Sequence, residues 1–367
     1  MDFRFDDEAT AIAELAGTVL TDYSAPEQLR ELERSGAPRF DRELWGKLAE
    51  TGILGAFVPE SAGGAGLGLL ALGAALEQAG RTTAAVPLWE TLALGALPIA
   101  EFAPEALATE VLGAVAAGEL ILTAGWHEAG SEPLRPSTVA SRSGDTWVLS
   151  GTKVCVPAGA IADAIVIPAA VEGGSVGLFL VRTGEGVAVE PQVTTLGDPQ
   201  AAILLAEAPA ELIGEGATSV AWAYERAVAT QCAVMVGACA QALQLTADYT
   251  KERKQFDVPI ASFQAVAHRA ADAYMDTEAI RLTTWQALWR LDHDEPAADH
   301  VAVAKFWAAW GGQRVVHAAQ HLHGGVGVDR DYPLHRSFLL VKELELQLGG
   351  ATRQLVDLGR QIAAQPV

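Results

Sequence analysis

The stretch Lys251-Glu252-Arg253-Lys254-Gln255-Phe256 gathers three cations and an aromatic ring in a chain that carries 46 acidic and only 25 basic side chains. A planar guanidinium such as that of Arg253 can grip a pyrophosphate through parallel hydrogen bonds, and Phe256 beside it offers a face to an adenine. Cations at this place would equally complement the negative end of a helix, and composition alone leaves both readings open. Two other clusters invite chemistry. His317 and His321 stand four apart with His323 close behind, but no cysteine or carboxylate is spaced as a further ligand, and no metal is expected. Gly64-Ala65-Gly66-Leu67-Gly68 lacks both the spacing and the preceding strand of a dinucleotide fingerprint, so it reads as a turn between helices. No serine or cysteine nucleophile with a placed histidine and acid emerges.

The elements that must position these residues follow from apolar periodicity. Leu44, Leu48 and Ile53 precede a Pro59-Glu60 turn, and Leu69, Leu72 and Leu76 follow the glycine run that starts at Gly63. This spacing predicts helices through roughly the first 115 residues. Near Leu120 the character changes. Thr138-Val139-Ala140, Trp147-Val148-Leu149, Ile165-Val166-Ile167 and Leu178-Phe179-Leu180-Val181 are short apolar runs between turn residues, with Ser143-Gly144-Asp145 as a hairpin turn. From about Glu211 the helical period returns: Val228, Cys232, Met235, Cys239 and Ala242 are spaced as a bundle seam, and Pro259, Pro296 and Pro333 punctuate three further segments. The predicted fold is mainly α with a central β domain: helical over 1–118, a β domain over 119–207, and a C-terminal four-helix bundle over 208–367. Trp285, Trp289, Trp307 and Trp310, at helical spacing, read as packing or subunit contact.

Half of the 367 residues are hydrophobic, ample for a large core. The net charge of −21 argues against partners that need a broad basic surface, so neither nucleic acid nor an anionic membrane is expected. The acidic start shows no secretory signal, and the alanine-rich apolar stretches are predicted to be too broken to span a bilayer. Three cysteines, with Cys232 and Cys239 too far apart along one helix to bridge, suit a reducing cytoplasm.

Glu252-Arg253-Lys254-Gln255-Phe256, followed by Pro259-Ile260 and Phe263-Gln264-Ala265-Val266, resembles the flavin-binding signature of the acyl-CoA dehydrogenases. Leu44-Trp45 through Gly66-Leu67 resembles the family's N-terminal helical hairpin, and Gly151-Thr152-Lys153 the start of its β domain. Gln320-His321-Leu322-His323-Gly324-Gly325-Val326-Gly327 and Asp331-Tyr332-Pro333 resemble the glycine turn that approaches the flavin. The resemblance covers nearly the whole chain in order. It implies FAD, an acyl-CoA substrate and an electron-transfer acceptor. By the same resemblance Arg253, Phe256 and Gln264 hold the adenine and phosphates, with His321, Gly324 and Gly325 bordering the nucleotide across a subunit contact. The reaction it implies is α,β-dehydrogenation: a carboxylate removes the α-proton of the thioester while the flavin takes a hydride from the β-carbon.

The sequence departs from the family pattern at the base. The two positions that the resemblance assigns to the catalytic carboxylate hold Ala227 and Leu348. Glu225 and Asp331 are the nearest substitutes, and Glu225 is rotated roughly 200° from Ala227 on a helix. Cys155 stands where an aromatic residue often follows the Gly-x-Lys element, and Asp257 where glycine follows the phenylalanine. Similar chains form the base-lacking subunits of actinobacterial heteromeric acyl-CoA dehydrogenases of steroid side-chain degradation. The resemblance therefore implies a second, dehydrogenase-like subunit in a heterotetramer that supplies the base. A homo-oligomeric flavoenzyme with a relocated base and a non-catalytic structural subunit are the alternatives.

Overall fold

The computed structural model describes residues 5–364. Seven α-helices come first: α1 (Asp7–Tyr23), α2 (Pro26–Arg34), α3 (Arg42–Glu50), α4 (Ile53–Ala56), α5 (Leu69–Thr82), α6 (Leu97–Phe102) and α7 (Glu105–Ala116). Seven strands follow: β1 (Leu122–Ala124), β2 (Val139–Ser143), β3 (Thr146–Val156), β4 (Ala164–Val171), β5 (Ser175–Arg182), β6 (Val187–Gln192) and β7 (Gln200–Glu215). The remainder is α8 (Gly216–Glu252), a hairpin of β8 (Lys254–Gln255) and β9 (Val258–Pro259), then α9 (Gln264–Asp292), α10 (Ala298–His323), α11 (Leu334–Leu346) and α12 (Ala351–Ala364). Two helix starts are capped by side chains: the Asp6 carboxylate accepts from the Ala9 amide at 2.7 Å, and that of Asp41 from the Leu44 amide at 2.9 Å.

The chain forms two compact units. One comprises the described parts of Met1–Glu31, Leu69–Ala84 and Val228–Val367, the other Leu32–Gly68 and Ala85–Ala227.

In the first unit α5 and α8 cross with their backbones in contact. A Cβ on Gly80 would lie 1.9 Å from the Val234 carbonyl oxygen, and one on Gly237 only 1.8 Å from that of Glu77, so both crossing points require glycine. The seam residues Val228, Cys232, Met235, Cys239 and Ala242 are all buried. Trp285 packs edge-on against Phe5 at 4.5 Å, Trp289 stacks on His293, and Trp307 and Trp310 share a cluster with Phe306. The C-terminal part has five helices instead of the four expected. Leu348 (φ +56°) and Gly349 (φ +91°) turn the chain left-handed after α11 and release α12.

In the second unit β4, β2, β3, β7 and β5 pair in that order, and β5 pairs again with β4, closing a five-stranded barrel; β1 extends it from β4 and β6 from β7. The apolar runs expected as strands lie in β2 to β5, and Ser143 pairs with Thr146 across Gly144 at φ +62°. The strand β7 runs on to Glu215, past the point near Glu211 where the helical period was expected to resume. Its alanine-rich sequence looks helical, but β3, β5 and β6 all pair with it and tertiary pairing overrides propensity.

One expectation about apolar length is corrected: α8, at 37 residues, is long and apolar enough by composition to cross a membrane. Most of that stretch is buried inside the protein, which accounts for its hydropathy.

Candidate functional site

The cationic segment closes α8 and opens a tight hairpin. Lys254 pairs with Pro259 and Gln255 with Val258, leaving Phe256 (φ +52°) and Asp257 (φ +66°) as a two-residue turn with both residues left-handed. This geometry demands positive φ at both central positions, and aspartate tolerates it better than most residues, which gives Asp257 a conformational reason to replace glycine. The turn projects the Phe256 ring into solvent at 89% exposure, with Phe263 edge-on at 6.2 Å. Arg253 is exposed one residue before the hairpin, and its guanidinium has no ion-pair or hydrogen-bond partner among the described residues. Gln264 begins α9 and is also exposed.

At the other end of this unit's site, α10 stops at Gly324, whose φ of +59° and ψ of −134° suit only glycine. The following turn Gly324–Val328 folds back so closely that a Cβ on Gly327 would sit 2.6 Å from the Gln320 carbonyl oxygen, whereas Gly324 and Gly325 face open space and their peptide groups are exposed. His321 is exposed beside them.

The two ends meet through aromatic rings. Tyr249, one helical turn before Arg253, stacks on His323 at 4.5 Å, and Tyr332 closes the cluster at 5.1 Å from His323. Sequence reasoning left His323 without a role and passed over Tyr249. A tyrosine four residues before a cationic helix end and another after a glycine turn are the signals that could have paired them. Arg253, Phe256, Gly324 and Gly325 fit a dinucleotide chemically: an unpaired guanidinium, an exposed ring face and glycines that leave their backbone bare.

The two positions that the sequence resemblance assigns to the base hold Ala227 and Leu348, neither of which can accept a proton. Ala227 is fully buried on α8 and Leu348 is 2% exposed. Beside Leu348 lies a polar network with no carboxylate in it: Lys305 donates to the Leu344 carbonyl at 2.6 Å and to Gln231, whose amide donates to Gln347 at 3.2 Å. Lys305 is buried completely, and burial pushes its ammonium down to about 8, although Cys232 and Glu345 act in the opposite direction. Gln354 on α12 donates to the carbonyls of Leu348 and Gly349 at 3.3 Å each, fixing the turn from below.

The substitute bases differ. Asp331 is solvent-exposed, and its side chain pairs with Arg30 at 3.4 Å. Glu225 is half-buried, accepts no hydrogen bond among the described residues, and is shifted upward by burial against the opposing charge of Arg226. No group of three metal-ligating side chains assembles among the described residues; His317 meets Phe338 edge-on at 5.0 Å.

In the barrel unit, Lys153 of the Gly-x-Lys element points inward. It donates to the Pro168 carbonyl at 2.8 Å and forms a buried ion pair with Glu128. The same carboxylate also accepts from Ser131 at 2.8 Å and from the Thr138 hydroxyl at 2.6 Å. Burial alone would raise Glu128, but hydrogen bonds from Lys153, Ser137 and Thr138, together with the Lys153 charge, hold it well below the carboxylate range. Cys155 is exposed with φ +50°, and its amide donates to the Gln192 side chain at 2.8 Å. Trp126 is buried edge-on to Tyr224 at 5.3 Å, and its indole N–H has no acceptor among the described residues.

Family models for the acyl-CoA dehydrogenase N-terminal and C-terminal domains match residues 6–119 and 214–362. Acyl-CoA dehydrogenase FadE27 of Mycobacterium tuberculosis is 40% identical, with both chains covered completely. A chain of the ChsE4–ChsE5 complex from the same organism superposes with a TM-score of 0.95 at 40% identity, covering 100% of both chains. A chain of a variant of the Tcur3481–Tcur3483 steroid ACAD gives 0.92 at 41% identity, covering 97% of this chain and 98% of that one. With the helical, barrel and helical order, the flavin-signature hairpin and the glycine turn all in place, the chain belongs to the acyl-CoA dehydrogenase family.

Proposed function

We propose that this protein is one subunit of an FAD-dependent acyl-CoA dehydrogenase that acts on a bulky, steroid-derived acyl-CoA in a heteromer whose other chain supplies the base. The observation that carries this reading is the pair Ala227 and Leu348, both buried and both unable to take a proton. Removal of an α-proton needs a desolvated carboxylate aimed at the substrate, and Lys305, Gln231 and Gln347 beside Leu348 offer only donors and amides. Two similar structures at about 40% identity are complexes of two different proteins, and one is called a steroid ACAD, which supports the heteromer and the substrate class.

Bound FAD supplies the hydride acceptor. This chain's part is to hold it: Arg253 meets the pyrophosphate, Phe256 covers the adenine, Gln264 begins the helix beside them, and Gly324 and Gly325 present backbone, with His321 at the margin. The test is flavin stoichiometry. Flavin should co-purify with the complex of this chain and a dehydrogenase-like partner, and Arg253→Ala should lower its retention; unchanged retention in that variant would sink the assignment.

A second reading, a homomeric enzyme with Glu225 as base, is favoured by the half-buried Glu225 carboxyl, which burial shifts upward and no hydrogen bond holds among the described residues. It requires the purified chain to turn over an acyl-CoA by itself and to lose that activity in Glu225→Gln.

A further inference from the structure

The ring cluster beside the glycine turn is joined by a directed hydrogen bond. His323 Nδ1 lies 2.8 Å from the Ala319 carbonyl oxygen, which can only accept, so Nδ1 carries the proton. In a neutral imidazole of this tautomer Nε2 is the acceptor, and the Leu245 carbonyl also lies close to the ring. The Tyr332 hydroxyl stands 3.2 Å from Nε2 and is the donor. His323 is 2% exposed and Tyr332 is half-buried, so the bond is shielded from water on its imidazole side.

The bond joins the two ends of one loop. His323 is the last residue before Gly324, and Tyr332 lies beyond the turn, so the pair closes the loop 324–331 across its base. Tyr249 stacks on the same imidazole and ties that base to the last turn of α8, where the Arg253 amide donates to the Tyr249 carbonyl at 2.8 Å. On the far side Arg30 donates to the Asp331 carbonyl at 3.0 Å, holding the loop's exit. Gly324 and Gly325 have no side chains by which to be held, and their position therefore depends on these neighbours.

We propose that His323 and Tyr332 are positioning residues for dinucleotide binding: their mutual hydrogen bond sets the exposed peptide groups of Gly324 and Gly325 in register with Arg253. The proposal rests on the reading that this segment binds FAD. Neither residue needs to touch the nucleotide, since His323 is buried behind the turn. Phenylalanine at Tyr332 would retain the ring packing and remove only this bond; at His323 it would also remove the Nδ1 bond to the Ala319 carbonyl.

The experiment is a double-mutant cycle on FAD affinity, measured by flavin fluorescence on the full chain in complex with its co-purified partner. Tyr332→Phe and His323→Phe should each weaken FAD binding by about five- to ten-fold, and the double variant no more than His323→Phe alone, because both delete the His323–Tyr332 bond. His323→Gln, whose carboxamide can accept from Tyr332, should restore affinity to within about three-fold. Arg253→Ala separates the two layers of the argument. If it weakens binding while both phenylalanine variants leave affinity unchanged, or if their effects multiply, the positioning role is wrong and the flavin assignment stands. If Arg253→Ala is also silent, the flavin assignment fails and the positioning role with it. Tyr332→Phe removes a single oxygen, so it keeps the test decisive should His323→Phe fold poorly.

Discussion

Lys305 Nζ lies 2.6 Å from the Leu344 carbonyl oxygen, a buried ammonium set against the C-terminal end of α11. Its acceptors are neutral, and no carboxylate comes within ion-pair distance among the described residues.

Replacing Lys305 by methionine leaves Gln231 and the Leu344 carbonyl without their donor, and should cost about 1–3 kcal/mol in chemical denaturation at neutral pH. The pH dependence carries a sign. The folded-state value is depressed to about 8 from 10.5, so between those values the unfolded chain binds more protons and this group favours folding increasingly as pH rises. The stability of the wild type relative to Lys305→Met should therefore grow from pH 8 toward 10.5. A difference that stays flat or shrinks would mean that the amine is not charged and buried as described.

Glu128 behaves in the opposite sense. Its carboxyl is held below the ordinary 4.5, so the stability it contributes is fully present above that pH and is lost as pH falls through the folded-state value. Glu128→Gln breaks a buried pair with Lys153 and should destabilise the barrel unit by about 3–5 kcal/mol at neutral pH, with a flatter acid limb. Hydrogen exchange of barrel amides, which reports this unit separately, is the measurement.

Asp257 and the adjacent cations give a prediction about affinity. Glycine adopts the Asp257 φ of +66° without strain, and removing a carboxylate beside a phosphate site removes repulsion. Asp257→Gly should tighten FAD binding by about two- to five-fold at low salt, with the gain shrinking as salt is added. An affinity that weakens would place the carboxylate in a favourable contact with the ligand.

Glu225→Gln discriminates the two enzyme readings. A group acting as general base contributes about 100- to 10,000-fold, so a base at Glu225 would lose at least that factor in turnover by the complex. The heteromer reading expects a change of less than about two-fold, since half-burial of a spectator carboxylate affects packing and not proton transfer.

The fold was legible where periodicity is strong. The seam from Val228 to Ala242 and the strand runs from Val139 to Val181 lie where the spacing put them. The end of β7 was not, because Glu211 to Glu215 owe their strand state to pairing with β5, which no local pattern records. The break at Leu348 was hidden for a related reason: a left-handed leucine is held by Gln354 and its neighbours, not by its own preference. At the candidate site, the hairpin at Phe256 and the glycine turn were visible as motifs. What joins them, Tyr249 on His323 and His323 with Tyr332, comes from residues 74 and 9 positions apart that pair only in the folded chain (323 − 249 and 332 − 323). Lys153, read as part of a motif, proved to be an inward partner of Glu128, since burial is a property of the barrel and not of the Gly-x-Lys pattern.

On the proposed reading this chain cannot remove the α-proton alone. The direct measurement is anaerobic single-turnover dehydrogenation of a steroid-derived acyl-CoA, scored as enoyl-CoA product, by the chain reconstituted with excess FAD and by its complex with the second chain. The account predicts product from the complex and none above the uncatalysed background from the chain alone; stoichiometric product from the chain alone at a comparable rate would contradict it.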